Sequence, residues 1–465
     1  MMLLKTPKTY TPKAPGNARD EALCILLEIT ENQRKSHTIL KERFDKLRET
    51  GQTPDHRDRA LIERLVVGTL DRLITLDVII GRFSRKPVRL LKPWIRGILR
   101  MSAYQILYMD RIPASAACNE AVELARLHGL EGLGGFVNGI LRNIVRDRDE
   151  GGAKTSEFEE DWQKYSLPRW MAQLISGEYG EETGRRIFEA FLYDRRETVR
   201  LNLSRVPQAA DPEEEICKSL AAEGVVFERI DMPALLEKAE APLPEGRLPV
   251  MYALENAGDI TALESFRKGW ITVQDPSSAL VAAYAAPREN AHIIDTCAAP
   301  GGKTLALADM LDGSGSIDAR DVSRQKVRLL EENIARCGFD NIKTSVMDAM
   351  TPDEDSFYRA DIVIADLPCS GMGVIAKKPD IKLNLESYSI EELVLLQRDI
   401  LANISRYVKH KGRLVYSTCT ITQEENEQNA AWAAETLGFR LLSECRLLPD
   451  RDHDGFYIAV LEKTY

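Results

Sequence analysis

From Gln274 to the C-terminus, strand-like and helix-like stretches take turns, and this alternation constrains the fold more than any other feature of the chain. Short apolar, β-branched runs stand at residues 292–295, 315–319, 342–346, 362–366, 412–417 and 456–461. Helical periodicity fills 304–311, 324–337, 391–408 and 423–437. Such spacing predicts a doubly wound α/β sheet, with ligands taken at the carboxyl ends of the strands. A late run at 439–442 has the position of an antiparallel hairpin edge beside 456–461.

The rest of the chain reads differently. At 465 residues it is too long for one core. Residues 1–17, with prolines at 7, 12 and 15, read as a flexible leader. Residues 18–148 are helical throughout, with Pro93 placed for the first turn of a helix. An acidic linker at 149–165 follows, then a small α/β module over 166–273, then the catalytic candidate over 274–465. No run of eighteen apolar residues is present, and the first residues turn polar too soon for a signal peptide. The eight cysteines form no Cys-x-x-Cys pair and no zinc spacing, so the expectation is a cytoplasmic chain with reduced thiols and no metal.

The net charge of −10 weakens a nucleic-acid reading until its distribution is considered. Arg82, Arg85, Lys86, Arg89, Lys92, Arg96 and Arg100 share a segment without a single acid. A phosphate backbone suits such a segment; a solvated cationic face is the plainer alternative.

Asp295-Thr-Cys-Ala-Ala-Pro-Gly-Gly-Lys-Thr304 is strand, tight turn and helix start. Small residues there let the backbone approach a ligand closely. It is neither the dinucleotide pattern nor a full P-loop, although Gly301-Gly-Lys-Thr304 imitates the end of the latter, so ATP stays open as an alternative. Asp318 and Asp321 close the next strand, where an acid reaches a ribose diol, and Asp348 follows the third. Three acids suit a cationic nucleoside, S-adenosyl-L-methionine, better than a triphosphate.

Two cysteines sit at strand ends: Cys369 in Asp366-Leu-Pro-Cys-Ser-Gly371 and Cys419 in Tyr416-Ser-Thr-Cys-Thr-Ile421. Pro368 excludes continued regular pairing before the first, and hydroxyls flank the second. A thiol poised in a polar, partly open place can act as a nucleophile. The other six read as small buried hydrophobes. Beside a nucleoside pocket, the pair suggests methyl transfer through a covalent intermediate, with Asp366 as an acid at the fourth strand. Spacing alone does not choose between the two thiols.

These motifs resemble the RsmB/Sun family of RNA 5-methylcytosine methyltransferases, over residues 18–465 and in the same domain order. The resemblance implies an all-helical NusB-like domain, a small RNA-recognition-like module and a Rossmann-like methyltransferase domain. It implies a cofactor site of Cys297, Ala298, Ala299, Pro300, Gly301, Gly302, Lys303, Asp321, Arg324, Asp348, Asp366 and Pro368. It makes Cys419 the nucleophile toward cytosine C6 and Cys369 the group assisting release, with Asp366 and Lys303 as polar partners. Gln274-Asp-Pro-Ser-Ser278 and the Val-Asn-Gly-x-Leu-Arg signature holding Asn138 also match. Two departures stand out: Ala376-Lys-Lys-Pro-Asp380 replaces an arginine-containing segment, leaving Lys377 and Lys378 as the RNA-side charges, and Ser323 replaces an acid. The implied substrate is 16S ribosomal RNA, free or partly assembled, met by a monomer. Transfer RNA methylation and a non-catalytic RNA-binding assembly factor are the alternatives.

Overall fold

The computed structural model describes residues 9–14, 17–206 and 210–465. Most of the expected leader lies outside the described residues; within it, Tyr10 is buried, donates its N–H to Glu28 Oε1 at 2.9 Å and meets the Trp94 ring edge-on. Two compact units result: one takes the chain up to Leu192 together with Ile375–Leu385, the other takes Tyr193–Val374 and Glu386–Tyr465.

The first unit is helical: α1 (Ala18–Asn32), α2 (Ser36–Glu49), α3 (His56–Asp71), α4 (Leu73–Phe83), α5 (Pro93–Tyr108), α6 (Ala114–Leu127) and α7 (Gly134–Asp149). Leu23, Ile25, Leu26, Leu27 and Ile29 cover successive faces of α1 and are all buried, which makes it the central helix. Asn17 caps it, accepting from the N–H groups of Arg19 and Asp20. Pro93 opens α5 as expected.

The helices Arg169–Tyr179 and Glu181–Ala190, expected in the middle module, fall in this first unit. The hydrogen bonds explain it. Ser166 Oγ accepts from the Ile74 N–H at 3.0 Å, and Thr75 Oγ1 donates to the Gln163 carbonyl at 2.6 Å. The expected linker contains the short helices Ala153–Ser156 and Asp161–Lys164. Within Ile375–Leu385, Asp380 accepts from Ser36, and buried Lys382 donates to the Asp71 carbonyl at 2.8 Å. Burial pushes the Lys382 ammonium down to about 8.

The second unit holds two sheets. The smaller is antiparallel, with β1 (Glu197–Leu201), β2 (Val226–Arg229), β3 (Met251–Glu255) and β4 (Ile271–Val273) in the order β2-β3-β1-β4. The larger sheet holds β5 (His292–Asp295), β6 (Ser316–Asp321), β7 (Ile342–Val346), β8 (Ala360–Asp366), β9 (Val408–Thr418), β10 (Phe439–Leu447) and β11 (Phe456–Lys463). Its order is β10-β11-β9-β8-β5-β6-β7, with β5 to β9 parallel and the β10–β11 hairpin antiparallel at one edge. Buried Ile293, Ile294, Val363, Ile364, Leu414 and Val415 give its central strands apolar residues on both faces, as a sheet covered by helices requires. The chain runs from β5 outward to β7 and returns to β8 on the other side of β5, so the switch point lies between β5 and β8.

Two helices have an end four residues from expectation. The helix expected over 391–408 is Ser389–Ile404, and Val408 already belongs to β9. The helix expected from 423 starts at Glu427, because Asn426 is held out of helical geometry (φ −106°, ψ −98°) while its side chain bonds Thr418 and Thr420. No helix among the described residues is long and apolar enough to cross a membrane.

Candidate active site

The site grows from the ends of β5, β6, β8 and β9. After β5, Cys297, Ala298, Ala299 and Pro300 form a turn ending at Gly301, and Gly302 begins the helix Gly302–Leu311. The turn is fastened on two sides. The Ala298 N–H donates to the Arg320 carbonyl on β6 at 2.8 Å, and Asn333 Nδ2 donates to the Pro300 carbonyl at 3.0 Å. The Ala299–Pro300 peptide is cis. Gly301 has φ +112°, and a Cβ there would stand 2.8 Å from Leu330 Cδ1, so only glycine fits.

Two buried polar atoms facing this turn have no hydrogen-bond partner. Asp295 Oδ2 accepts from Thr304 Oγ1 at 2.7 Å, yet Oδ1 is left without a donor. Burial pushes the Asp295 carboxyl up to about 7, against the Thr304 bond, and the charge of Asp366 adds to the rise. Gln274 Oε1 accepts from Arg200 Nε at 2.9 Å, while its Nε2 is unpartnered, 3.3 Å from where a side chain on Gly302 would begin. A missing donor and a missing acceptor beside a glycine turn and a helix N-terminus describe a place for a polar ligand bearing both charges. The residues therefore fit the amino-acid end of S-adenosyl-L-methionine.

The nucleoside end has matching residues. Asp321 closes β6, is buried, and accepts from the Ser323 N–H at 3.1 Å. The Met347 N–H donates to the Asp321 carbonyl at 3.0 Å, which brings the loop holding Asp348 next to it. Asp348 is exposed, as are the apolar Val322 and Met350 nearby in sequence. Arg324 is exposed at the first position of the helix Arg324–Cys337.

The register Asp366↔Ser417 brings the ends of β8 and β9 side by side. Cys369 Sγ lies 3.3 Å from Cys419 Sγ across that junction. The Cys369 thiol is pushed well up, first by its hydrogen bond with Cys419, then by burial, then by the charge of Cys419, and after these by the charges of Glu425 and Asp366. Lys303 Nζ reaches Asp366 Oδ2 at 2.6 Å, joining the start of the helix after the glycine turn to β8 across the switch point. Ser417 Oγ donates to the other Asp366 oxygen at 3.0 Å. Asp366, expected as an acid, thus stands as an acceptor on both oxygens. Pro368 is exposed between it and Cys369.

The remaining thiols are held protonated by burial. Cys297 is pushed up to about 12 and Cys445 to about 11, and Cys24, Cys118, Cys217 and Cys337 are raised as well. Sequence reading passed over Asp295 and Ser417 as functional residues, although each stands inside a motif it quoted. Of the basic segment, Arg85, Lys86, Arg89 and Lys92 are exposed. Arg82 is spent on the Glu157 carbonyl and the Phe158 ring, Arg96 on Glu31 and the Arg89 carbonyl, and Arg100 on Asp77. The seven-residue cationic face is therefore smaller than the sequence suggested, because helix packing recruits three of its arginines. Lys377 and Lys378 are exposed on the Ile375–Leu385 segment.

The family model described as 16S rRNA methyltransferase RsmB/F matches residues 282–462, and the NusB family model matches 16–146. A probable ribosomal RNA small subunit methyltransferase B of Bacillus subtilis is 34% identical over 89% of this chain and 87% of that one. Ribosomal RNA small subunit methyltransferase B of Proteus mirabilis is 30% identical over 88% and 91%. The crystal structure of PH0851 superposes with a TM-score of 0.75 at 24% identity, covering 98% of this chain and 100% of that one, which shows the fold. A methyltransferase homolog from Pyrococcus horikoshii matches 65% of this chain and 97% of its own at a TM-score of 0.54 and 25% identity.

Proposed function

The chain belongs to the RsmB/F family of 16S rRNA methyltransferases, and on that premise we propose that it methylates C5 of a cytosine in 16S ribosomal RNA, using S-adenosyl-L-methionine. The observation that carries the residue roles is the 3.3 Å approach of Cys369 and Cys419 beside the Lys303–Asp366 pair.

The cofactor supplies an electrophilic methyl group when bound. Asp295 would take its ammonium, Gln274 Nε2 and the N-terminus of Gly302–Leu311 its carboxylate, Asp321 its ribose hydroxyls, and Asp348 its adenine. Cytosine C5 is too weak a nucleophile on its own. Cys419, as thiolate, adds to C6; the electron pair of the C5–C6 double bond moves toward C5 and N3, giving C5 enamine character. Lys303, held by Asp366, offers a hydrogen bond where charge gathers on the base. After methylation, solvent water takes the C5 proton, the C5–H electron pair re-forms the C5–C6 double bond, and Cys419 leaves with the C6–S electron pair. Cys369, kept as a thiol, returns a proton to that sulfur. Exposed Arg85, Lys86, Arg89 and Lys92, with Lys377 and Lys378, are the phosphate contacts of this reading. We place the reaction in the cytoplasm, carried out by a monomer on free or partly assembled RNA.

Tritiated-methyl transfer to unmodified 16S and transfer RNAs, with the base mapped, tests the reading. Label on a 16S cytosine is expected; label confined to transfer RNA would move the substrate to the alternative. Cys419→Ala should lose about 10³-fold or more in transfer while still binding RNA, and full activity would refute its role. Cys369→Ala should accumulate a protein–RNA adduct stable to denaturant; no adduct would remove its part in release.

A further inference from the structure

Glu425 sits in Gln423-Glu-Glu-Asn426, a run that reads as solvated surface, yet its side chain is fully buried. Among the described residues it forms no ion pair with Lys, Arg or His. Hydrogen bonds hold it instead. Oε1 accepts from the Ser370 N–H at 2.9 Å and Gln397 Nε2 at 3.0 Å. Oε2 accepts from Ser370 Oγ at 2.5 Å and Thr422 Oγ1 at 2.7 Å. A carboxylate without a counter-ion survives in a core only when its lone pairs are filled this completely.

The donors are not scattered. Ser370 follows Cys369, and Ser370 Oγ also meets Thr420 Oγ1, next to Cys419, at 2.6 Å. Gln397 Nε2 reaches the Pro368 carbonyl, just before Cys369, at 2.9 Å. Gln397 is in turn fixed by Asn429 Nδ2 at 2.8 Å, and Asn429 by Arg398 at 2.8 Å. The Gly373 N–H donates to the Cys419 carbonyl at 3.1 Å, a second tie between the two loops.

We propose that Glu425 is a positioning residue: one buried carboxylate that locks the Cys369 and Cys419 loops together and sets the distance between their sulfurs. This rests on the two-thiol reading of the reaction for its purpose, but not for its geometry. The charge of Glu425 also acts on Cys369 in the sense the reaction needs, after the Cys419 hydrogen bond, burial and the Cys419 charge, by favouring the protonated thiol. Lock and charge therefore support the same division of labour between the thiols.

The test compares full-length wild type with Glu425→Gln, which turns two accepting lone pairs into donors, and with Thr422→Val, which removes one bond. In single turnover Glu425→Gln should lose about 100-fold in methyl transfer while its S-adenosyl-L-methionine Kd stays within about twofold. Thr422→Val should fall between it and wild type. Diamide supplies a second, substrate-free readout: its azo bond takes two electrons and two protons from the thiol pair, leaving a disulfide and a hydrazine. Disulfide formation between Cys369 and Cys419, read by mass spectrometry, should slow about tenfold in Glu425→Gln because the sulfurs no longer meet at bonding geometry. Transfer within about threefold of wild type, or a loss matched by equal loss of cofactor binding, would overturn the proposal. If wild type methylates no RNA, the reaction reading fails, and the diamide rates alone decide the lock: equal rates sink it. Should Glu425→Gln fail to fold, Thr422→Val and Ser370→Ala carry the same comparisons.

Discussion

Asp20 in the helical unit and Asp295 in the sheet unit are both buried carboxylates, and the structure treats them in opposite ways. Asp20 is filled. Oδ1 meets His128 Nε2 at 2.7 Å, and Oδ2 accepts from the N–H groups of Lys13 and Ala14 at 2.6 and 2.8 Å. Burial alone would raise it, but these bonds bring its carboxyl below the ordinary value. Trp94 stacks on His128 at 3.7 Å and closes the site. Asp295 keeps one oxygen without a donor, and its carboxyl rises to about 7. Burial is common to both; satisfaction separates an acid completed by the fold from one whose open oxygen the proposed function gives to the cofactor.

Removing each acid pulls the comparison apart. Asp20→Ala should cost about 3–5 kcal/mol of unfolding free energy, since it strands the buried His128 ring and removes the acceptor that holds the Lys13 and Ala14 N–H groups against α1. Denaturant unfolding measures this, and cofactor affinity should not move. Asp20 has a lowered folded pKa, so its contribution is present above the unfolded value of 3.8 and is lost as pH falls below it. A variant as stable as wild type would make the two acids alike.

Asp295→Asn should do the reverse. Cofactor binding should weaken about 10- to 100-fold, on the order of 1.4–2.7 kcal/mol, by isothermal calorimetry. The folded pKa is raised, so the native state binds the extra proton between about 4 and 7, and stability falls as pH rises through that window. Above pH 7 the cofactor-free variant should therefore be more stable than wild type. The smallest effect is in wild type itself. Cofactor affinity should tighten about tenfold from pH 6 to pH 8 as Asp295 ionises to meet a cation. A flat profile would detach Asp295 from the ligand.

The architecture of the sheet unit was legible because its strands carry apolar runs that no surface helix would tolerate, and the turns between them hold the motifs. The glycine turn after β5 and both thiols lie at strand ends, as the motifs suggest. The 3.3 Å sulfur contact was not legible, since it depends on the register of β8 against β9, fifty positions apart. Glu425 was missed for a related reason: periodicity assigns a polar run to solvent, and only the fold shows four donors converging on it. The basic segment was overread in the same way, because Arg82, Arg96 and Arg100 find partners that composition does not reveal.

The Ile375–Leu385 segment leaves the sheet unit to complete the helical one, where Asp380 meets Ser36 and Lys382 meets the Asp71 carbonyl. The chain therefore passes from one unit to the other three times rather than once. A gene fusion joining these helices to a different enzyme at residue 192 would not carry a finished fold, since a piece encoded far downstream would be left behind.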